Sequence, residues 1–371
     1  MIYFDTASSY PILPEVKRAL SEASNALYAN SASSHFLGEK VKFEVDSVRE
    51  LIADEIGAYP SEIIFTSGAT ESNNISFKSI LLGDEIHVDK RHIITSQIEH
   101  KCIFSICLYL ESLGYEITYI KPNREGVISP DAVENAITTE TALVSIMHVN
   151  NELGTINPIS EIGEICRNNE ILFHTDAAQS FKKVDVNVDD LNIDIMSISA
   201  HKIAGPKGIG AIYIRDLRNK QLMPVIHGAG QEDGVRGGTV AAPLIVGFGS
   251  AIEHFARYYN KFKQIKAKEI LLSELRKHSI DYHVNGGEDS LPSCLSLTLP
   301  LTNVALLIRD NEPYFCLAQG SACSSKEIAA SHVLTAIGLT REQAEKTFRI
   351  SFSLDVSKDN ILDLVKTIQK Y

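Results

Sequence analysis

Several short segments end in residues able to do chemistry. Ser67-Gly68-Ala69-Thr70-Glu71-Ser72 follows an apolar run and opens a helical pattern. Small residues let a ligand approach the backbone, and free N–H groups at a helix start attract an anion such as phosphate. The segment is equally compatible with an ordinary capped turn in which Thr70 is the N-cap. In His174-Thr175-Asp176-Ala177-Ala178-Gln179 an apolar run ends in an acid among small residues. An acid there serves a ligand at the carboxyl edge of a sheet, or caps a helix. In Ser199-Ala200-His201-Lys202, which precedes Gly205-Pro206-Lys207-Gly208, a lysine lies between an apolar run and a glycine turn. A desolvated lysine has a lowered pKa and can form a Schiff base.

Anion turn, strand-end acid and strand-end lysine, in that order, form the layout of a pyridoxal 5'-phosphate (PLP) site. The acid pairs the pyridine nitrogen and the lysine holds the aldehyde. Ala318-Gln319-Gly320-Ser321-Ala322-Cys323-Ser324-Ser325 sets one cysteine among small residues. That composition suits an exposed loop carrying a reactive thiol, whereas Cys166 sits among apolar residues as a structural cysteine does.

These elements require an α/β frame. Apolar runs at 62–65, 92–95, 143–148, 171–174, 193–198 and 209–214 read as buried strands. They alternate with helical patterns at 70–82, 101–113 and about 159–168. The expected fold is a mainly parallel sheet flanked by helices, with a smaller C-terminal α/β domain. A single helix is expected over about 244–278, a short strand at 296–299 and a closing helix near 360–369. The expected division is 13–247 for the large domain; 1–12 and 248–371 form the small one, which carries the cysteine loop at about 318–330.

Composition narrows the function classes. The chain has 371 residues, 44% hydrophobic and 22% charged, enough for two domains. Its formal net charge of -12 argues against direct nucleic-acid binding. The first residues lack a basic region followed by an apolar run, and no apolar stretch reaches about 18 residues, so neither a signal peptide nor a membrane span is expected. The six cysteines show no metal-ligand spacing. No metal and a reducing, cytoplasmic setting are expected.

Phe65-Thr66-Ser67-Gly68-Ala69-Thr70-Glu71-Ser72-Asn73-Asn74, Glu99-His100-Lys101, Met147-His148-Val149-Asn150-Asn151-Glu152-Leu153-Gly154, Asp176-Ala177-Ala178-Gln179 and Ser199-Ala200-His201-Lys202-Ile203-Ala204-Gly205-Pro206-Lys207-Gly208 together resemble a cysteine desulfurase of the NifS/IscS kind, within the class V aminotransferase family. The loop around Cys323 resembles that of class I desulfurases. The resemblance implies PLP fold type I and conversion of L-cysteine to L-alanine, with the sulfur taken by Cys323 as a persulfide and passed to an acceptor protein. It implies that Lys202 holds the aldehyde, Asp176 the pyridine nitrogen and Gln179 the phenolate oxygen, with His100 stacked on the ring and shuttling protons. Thr70, Ser199 and His201, with backbone N–H groups near Ala69, would hold the phosphate. Asn151 would position ring and substrate, and Arg349 would grip the substrate carboxylate. Thr239 would reach the phosphate of a partner subunit, implying a homodimer with shared sites.

Departures from the family pattern are local. Arg236-Gly237-Gly238-Thr239 replaces Arg-Ser-Gly-Thr but keeps the threonine, Gln319 stands where serine is common, and the run after Arg349 differs and is short. The shortness leads us to expect a specialised acceptor, in tRNA or DNA thiolation, over general iron–sulfur cluster assembly. The competing readings are another PLP lyase or aminotransferase of this fold, such as a selenocysteine lyase, and a scaffold that has lost the chemistry.

Overall fold

The computed structural model describes residues 1–83, 90–220, 222–319 and 331–371; Cys323 lies outside the described residues. The chain begins with a short strand, β1 (Ile2–Tyr3), and two helices, α1 (Pro14–Ala26) and α2 (Phe36–Ile56). An alternating α/β portion follows. Its strands are β2 (Ile63–Thr66), β3 (His92–Ser96), β4 (Glu116–Ile120), β5 (Thr141–Ser145), β6 (Leu172–Asp176), β7 (Ile195–Ser199) and β8 (Gly210–Ile214). Its helices are α3 (Ala69–Asn74), α4 (Lys101–Ser112), α5 (Pro130–Ala136) and α6 (Ile159–Asn168). The strands form one seven-stranded sheet in the order β2-β8-β7-β6-β5-β3-β4.

Only β8 runs against its neighbours. Residues 200–209 between β7 and β8 are too few for a crossover helix, so the chain reverses and pairs antiparallel. Because β2 is antiparallel to β8, it points the same way as β7. The carboxyl ends of β2, β3, β5, β6 and β7 therefore share one edge, and the loops carrying residues 67–70, 97–100, 146–151, 177–179 and 200–204 gather there.

The sheet is covered on both faces. One core joins Phe65, Ile94, Val144 and Ile198 to Val45 of α2 and residues further along the chain; the other joins Ile64, Ile93, Leu143 and Ile212 to Phe77 and Ile106. Successive strand residues fall into different cores, as the two-residue period requires.

The remainder is α7 (Ala242–Lys263), α8 (Ala267–Lys277), β9 (His283–Asn285), β10 (Cys294–Thr298), α9 (Val304–Asn311), β11 (Phe315–Cys316), β12 (Ala318–Gln319), α10 (His332–Ala336), α11 (Arg341–Glu345), β13 (Thr347–Ser351) and α12 (Lys358–Ile368). A four-stranded antiparallel sheet has the order β12-β13-β10-β9, and β1 pairs parallel with β11.

Three expectations are corrected. The helix expected over 244–278 is two helices, broken where Lys266 takes a left-handed φ of 54°. The helix expected over 70–82 starts at Ala69 and becomes a π-helical turn at Ile75–Ser79. Gly68, not Thr70, is its N-cap, and no side chain caps it. Strand ends move by one to three residues; the strand expected at 143–148 is Thr141–Ser145. Among the described residues no helix is long and apolar enough to cross a membrane.

Gly210 opens β8 where a Cβ would meet the Ile198 carbonyl oxygen at 2.5 Å and the Gly68 Cα at 2.7 Å. Both are backbone atoms and cannot swing aside. Gly210→Ala is expected to cost about 1–3 kcal/mol by overpacking, read as a lower denaturation midpoint, and to widen the 67–70 turn.

Candidate active site

β7 ends at Ser199, and Ala200–Ile203 make one 3-10 turn closed by Ala204 in the left-handed region, φ 58°. The turn holds Lys202 at the sheet edge. Its Nζ donates to the carbonyl oxygens of Ala7, at 2.6 Å, and Ser8, at 2.9 Å. Gln179 Nε2 donates to the same Ala7 oxygen at 2.8 Å. Lys202 and Gln179 thus converge on a carbonyl near the N-terminus. Sequence reading missed this group, because a backbone oxygen has no residue-type signature.

Asp176 is buried at the end of β6. Its Oδ1 accepts from the Ala178 N–H at 2.9 Å, and its Oδ2 accepts from Asn73 Nδ2 at 2.8 Å. The Ala178 contact is the capping geometry weighed from the sequence; the Asn73 contact adds a second, long-range donor. Both donors are neutral. A buried carboxylate whose donors among the described residues are neutral suits a cationic ring nitrogen.

His100 is the N-cap of α4, and the Cys102 N–H donates to its Nδ1 at 3.3 Å. An atom accepting an N–H carries no proton, so the ring proton sits on Nε2. Burial lowers the pKa of His100, keeping it neutral at neutral pH; Asp176 opposes this shift. The Cys102 sulfur lies 3.0 Å from the same Nδ1. Burial, then the negative charge of Asp176, push its thiol up to about 12, so it is a poor nucleophile. Glu99, one residue before His100, is fully buried and pushed up to about 8 by burial, hence neutral at pH 7.

The phosphate side also fits. No side chain caps α3, so the N–H groups of Ala69 and Thr70 have no intrahelical acceptor. Ser199 Oγ lies 3.6 Å from where a Cβ on Gly68 would stand. His201 has a buried Nδ1 without a partner among the described residues. Burial, and secondly Lys202, lower its pKa to about 4. Open backbone donors at the start of α3 are what an anionic ligand would satisfy.

Arg349, on β13, donates from Nη1 to the Asn151 carbonyl at 2.8 Å, and from Nη2 to Asp5 Oδ1 at 2.6 Å and Ser8 Oγ at 2.7 Å. Asn151 thus contributes its backbone; its side-chain amide bonds no described residue. Asp5 was missed as a site residue, although the Asp5–Ser8 spacing is that of a turn in which Ser8 Oγ bonds Asp5 Oδ1.

Thr239 is exposed and bonds no described residue, so the structure does not join it to the Lys202 cluster. Its segment is nonetheless tied to the 67–71 turn: Arg236 pairs with Glu71 at 2.8 Å, and Glu232 accepts from Arg49 and from the Phe65 N–H.

At the start of α10, Ser331 Oγ donates to Glu152 Oε2 at 2.5 Å and His332 Nε2 to the Glu99 carbonyl at 2.9 Å.

A sequence profile described as Aminotransferase class-V matches residues 2–364. The chain belongs to the class-V aminotransferase family. Cysteine desulfurase IscS of Rickettsia typhi is 42% identical over 373 residues, covering 97% of this chain and 88% of that protein. The mitosomal cysteine desulfurase of Encephalitozoon cuniculi is 41% identical over 352 residues, 94% of this chain and 81% of that protein. Among solved structures, SspA in complex with cysteine is 44% identical with a TM-score of 0.85, covering 95% of this chain and 99% of that one. A NifS-like protein is 32% identical with a TM-score of 0.89, covering 100% and 98%. This bears out the class-V resemblance and the α/β fold. The lysine, the acid and the open backbone donors at the Lys202 edge are chemically suited to a cofactor that carries an aldehyde and a phosphate.

Proposed function

We propose that the chain is a PLP-dependent cysteine desulfurase that converts L-cysteine to L-alanine and leaves the sulfur on Cys323 as a persulfide. Desulfurase chemistry is the activity named for its relatives. The reading of sulfur transfer is supported by similarity to a solved relative, SspA in complex with cysteine, at 44% identity; among the described residues, His332 bonds the Glu99 carbonyl, next to His100.

PLP, when bound, supplies an electron sink for the carbon bearing the substrate amino group. The residues divide the remaining work. Lys202 holds the aldehyde and moves the Cα proton. Asp176 would pair with the pyridine nitrogen, Gln179 would donate to the phenolate oxygen, and His100 would stack on the ring with its Nε2 proton available. Thr70, Ser199, His201 and the N–H groups near Ala69 hold the phosphate. Arg349 binds the substrate carboxylate and Asn151 positions the substrate beside it. Thr239 serves the phosphate of a second copy, in a homodimer with shared sites. The Cys323 thiolate attacks the substrate sulfur. An S–S bond forms, the C–S bond breaks, and its electron pair stays on the carbon skeleton, which takes a proton and leaves as alanine. Atoms and electrons balance without an outside oxidant.

Relatives named IscS support an iron–sulfur cluster-assembly acceptor, with a tRNA- or DNA-thiolating acceptor as the alternative. A reducing cytoplasmic setting fits the free thiols of Cys102, Cys107, Cys166, Cys294 and Cys316. The division into 13–247, and 1–12 with 248–371, is proposed with it.

The test measures alanine release and protein-bound persulfide from cysteine. Cys323→Ala should lose persulfide and slow alanine release on the order of a hundredfold or more, with the bound-cofactor absorbance unchanged. Full alanine release by that variant would favour another lyase or aminotransferase of this fold. Following labelled sulfur from Cys323 then separates the acceptors. Arg349→Lys, which loses the planar fork, should raise KM for cysteine about tenfold with a smaller change in kcat.

A further inference from the structure

Lys183 lies beside the cofactor residues and has no assigned task. Successive turns bring it back over Gln179: the Phe181 N–H bonds Ala177 O, and the Lys183 and Val184 N–H groups bond Ser180 O. Lys183 Nζ then lies 3.3 Å from Gln179 Oε1 and 5.1 Å from the centre of the Tyr10 ring. It makes no ion pair with any described residue. Burial lowers its pKa to about 7, with Lys202 pushing the same way. A lysine so placed is costly unless its donors are used.

The chemistry of the pair fixes a direction. Toward a carboxamide, a lysine Nζ donates to the oxygen. Oε1 of Gln179 is therefore held against Lys183, and Nε2 must face the other way. Nε2 does so, donating to the Ala7 carbonyl that also receives Lys202. The Ala7 carbonyl and Lys183 hold the two ends of the amide, and without Lys183 only the Ala7 contact opposes its turning over. A turned amide would present an oxygen, not an N–H, toward the Lys202 side, and an oxygen repels an anionic ring oxygen.

We propose that Lys183 is a positioning residue that orients the Gln179 amide so that its N–H faces the phenolate oxygen of the bound cofactor. This rests on the reading of Gln179 under the proposed function. Lys183 touches neither substrate nor reacting atoms in this role; it acts through Gln179.

The test uses the PLP-loaded full chain and reads two quantities besides turnover: PLP affinity, and the pH midpoint of the visible cofactor band. Losing one hydrogen bond of about 1–1.5 kcal/mol weakens affinity roughly five- to tenfold. Lys183→Met should show that loss. It should also move the band midpoint upward, because an oxygen deprived of its donor is more basic. Lys183→Arg, which keeps a donor, should stay near the parent and shows that folding is intact. Gln179→Leu should reproduce the Lys183→Met effect, and the double variant should be no worse than Gln179→Leu alone. If Gln179→Leu moves both quantities and Lys183→Met moves neither, the inference fails and the reading of Gln179 stands. If Gln179→Leu itself moves neither, the reading of Gln179 fails and the inference with it. Additive losses in the double variant would also overturn the inference, because Lys183 would then act by another route.

Discussion

Lys202→Ala is expected to reduce alanine release from cysteine by at least about a thousandfold. Two functions leave together. On the proposed reading the residue is the covalent anchor and the base at the substrate Cα, where a positioned proton acceptor alone contributes about 10²–10⁴-fold. The fold should survive. Lys202 donates to the carbonyls of Ala7 and Ser8, in a segment also held by the Gln179 and Arg349 contacts. The checks are single-turnover alanine formation and absorbance of the dialysed protein, which should lose its visible band. Retention of the band after dialysis would mean that another amine holds the aldehyde.

Asp176→Asn is expected to lower kcat by about 10²–10⁴-fold, on the scale of one decisive electrostatic or proton-transfer group. The amide is nearly isosteric but carries no charge to keep a ring nitrogen protonated. It also places an NH2 group where one carboxylate oxygen now accepts from Asn73 or from the Ala178 N–H. Asp176→Glu keeps the charge and moves it by one methylene, and should recover part of the rate. Equal rates for Asp176→Asn and the parent would remove Asp176 from the cofactor site.

The residues legible in the sequence were those where a change of residue type coincides with the end of an apolar run. Asp176 closes β6, and Lys202 lies just beyond β7; both stand where a periodic pattern stops. Their supports were not legible. Asn73 meets Asp176 across 103 positions, and Lys202 meets Ala7 across 195. Neither contact leaves a local trace, and one partner is a carbonyl. The break between α7 and α8 was hidden for a related reason: Gln264-Ile265-Lys266 has neither glycine nor proline, and the turn is made by a lysine forced to positive φ. The reversal of β8 was countable from its short connection, but the apolar pattern alone does not tell parallel from antiparallel pairing.

The first eight residues carry a consequence for synthesis. Ile2 and Tyr3 pair with Phe315 and Cys316, and Asp5 bonds Arg349 across 344 positions. The peptide at 2–8 therefore finds its partners in residues that leave the ribosome much later than it does. Ala7 and Ser8, which cradle Lys202, belong to that waiting segment. The seven-stranded sheet has all its strands once residue 214 has emerged, but the segment that bears the lysine cradle is pinned by Arg349 only after translation has passed β13.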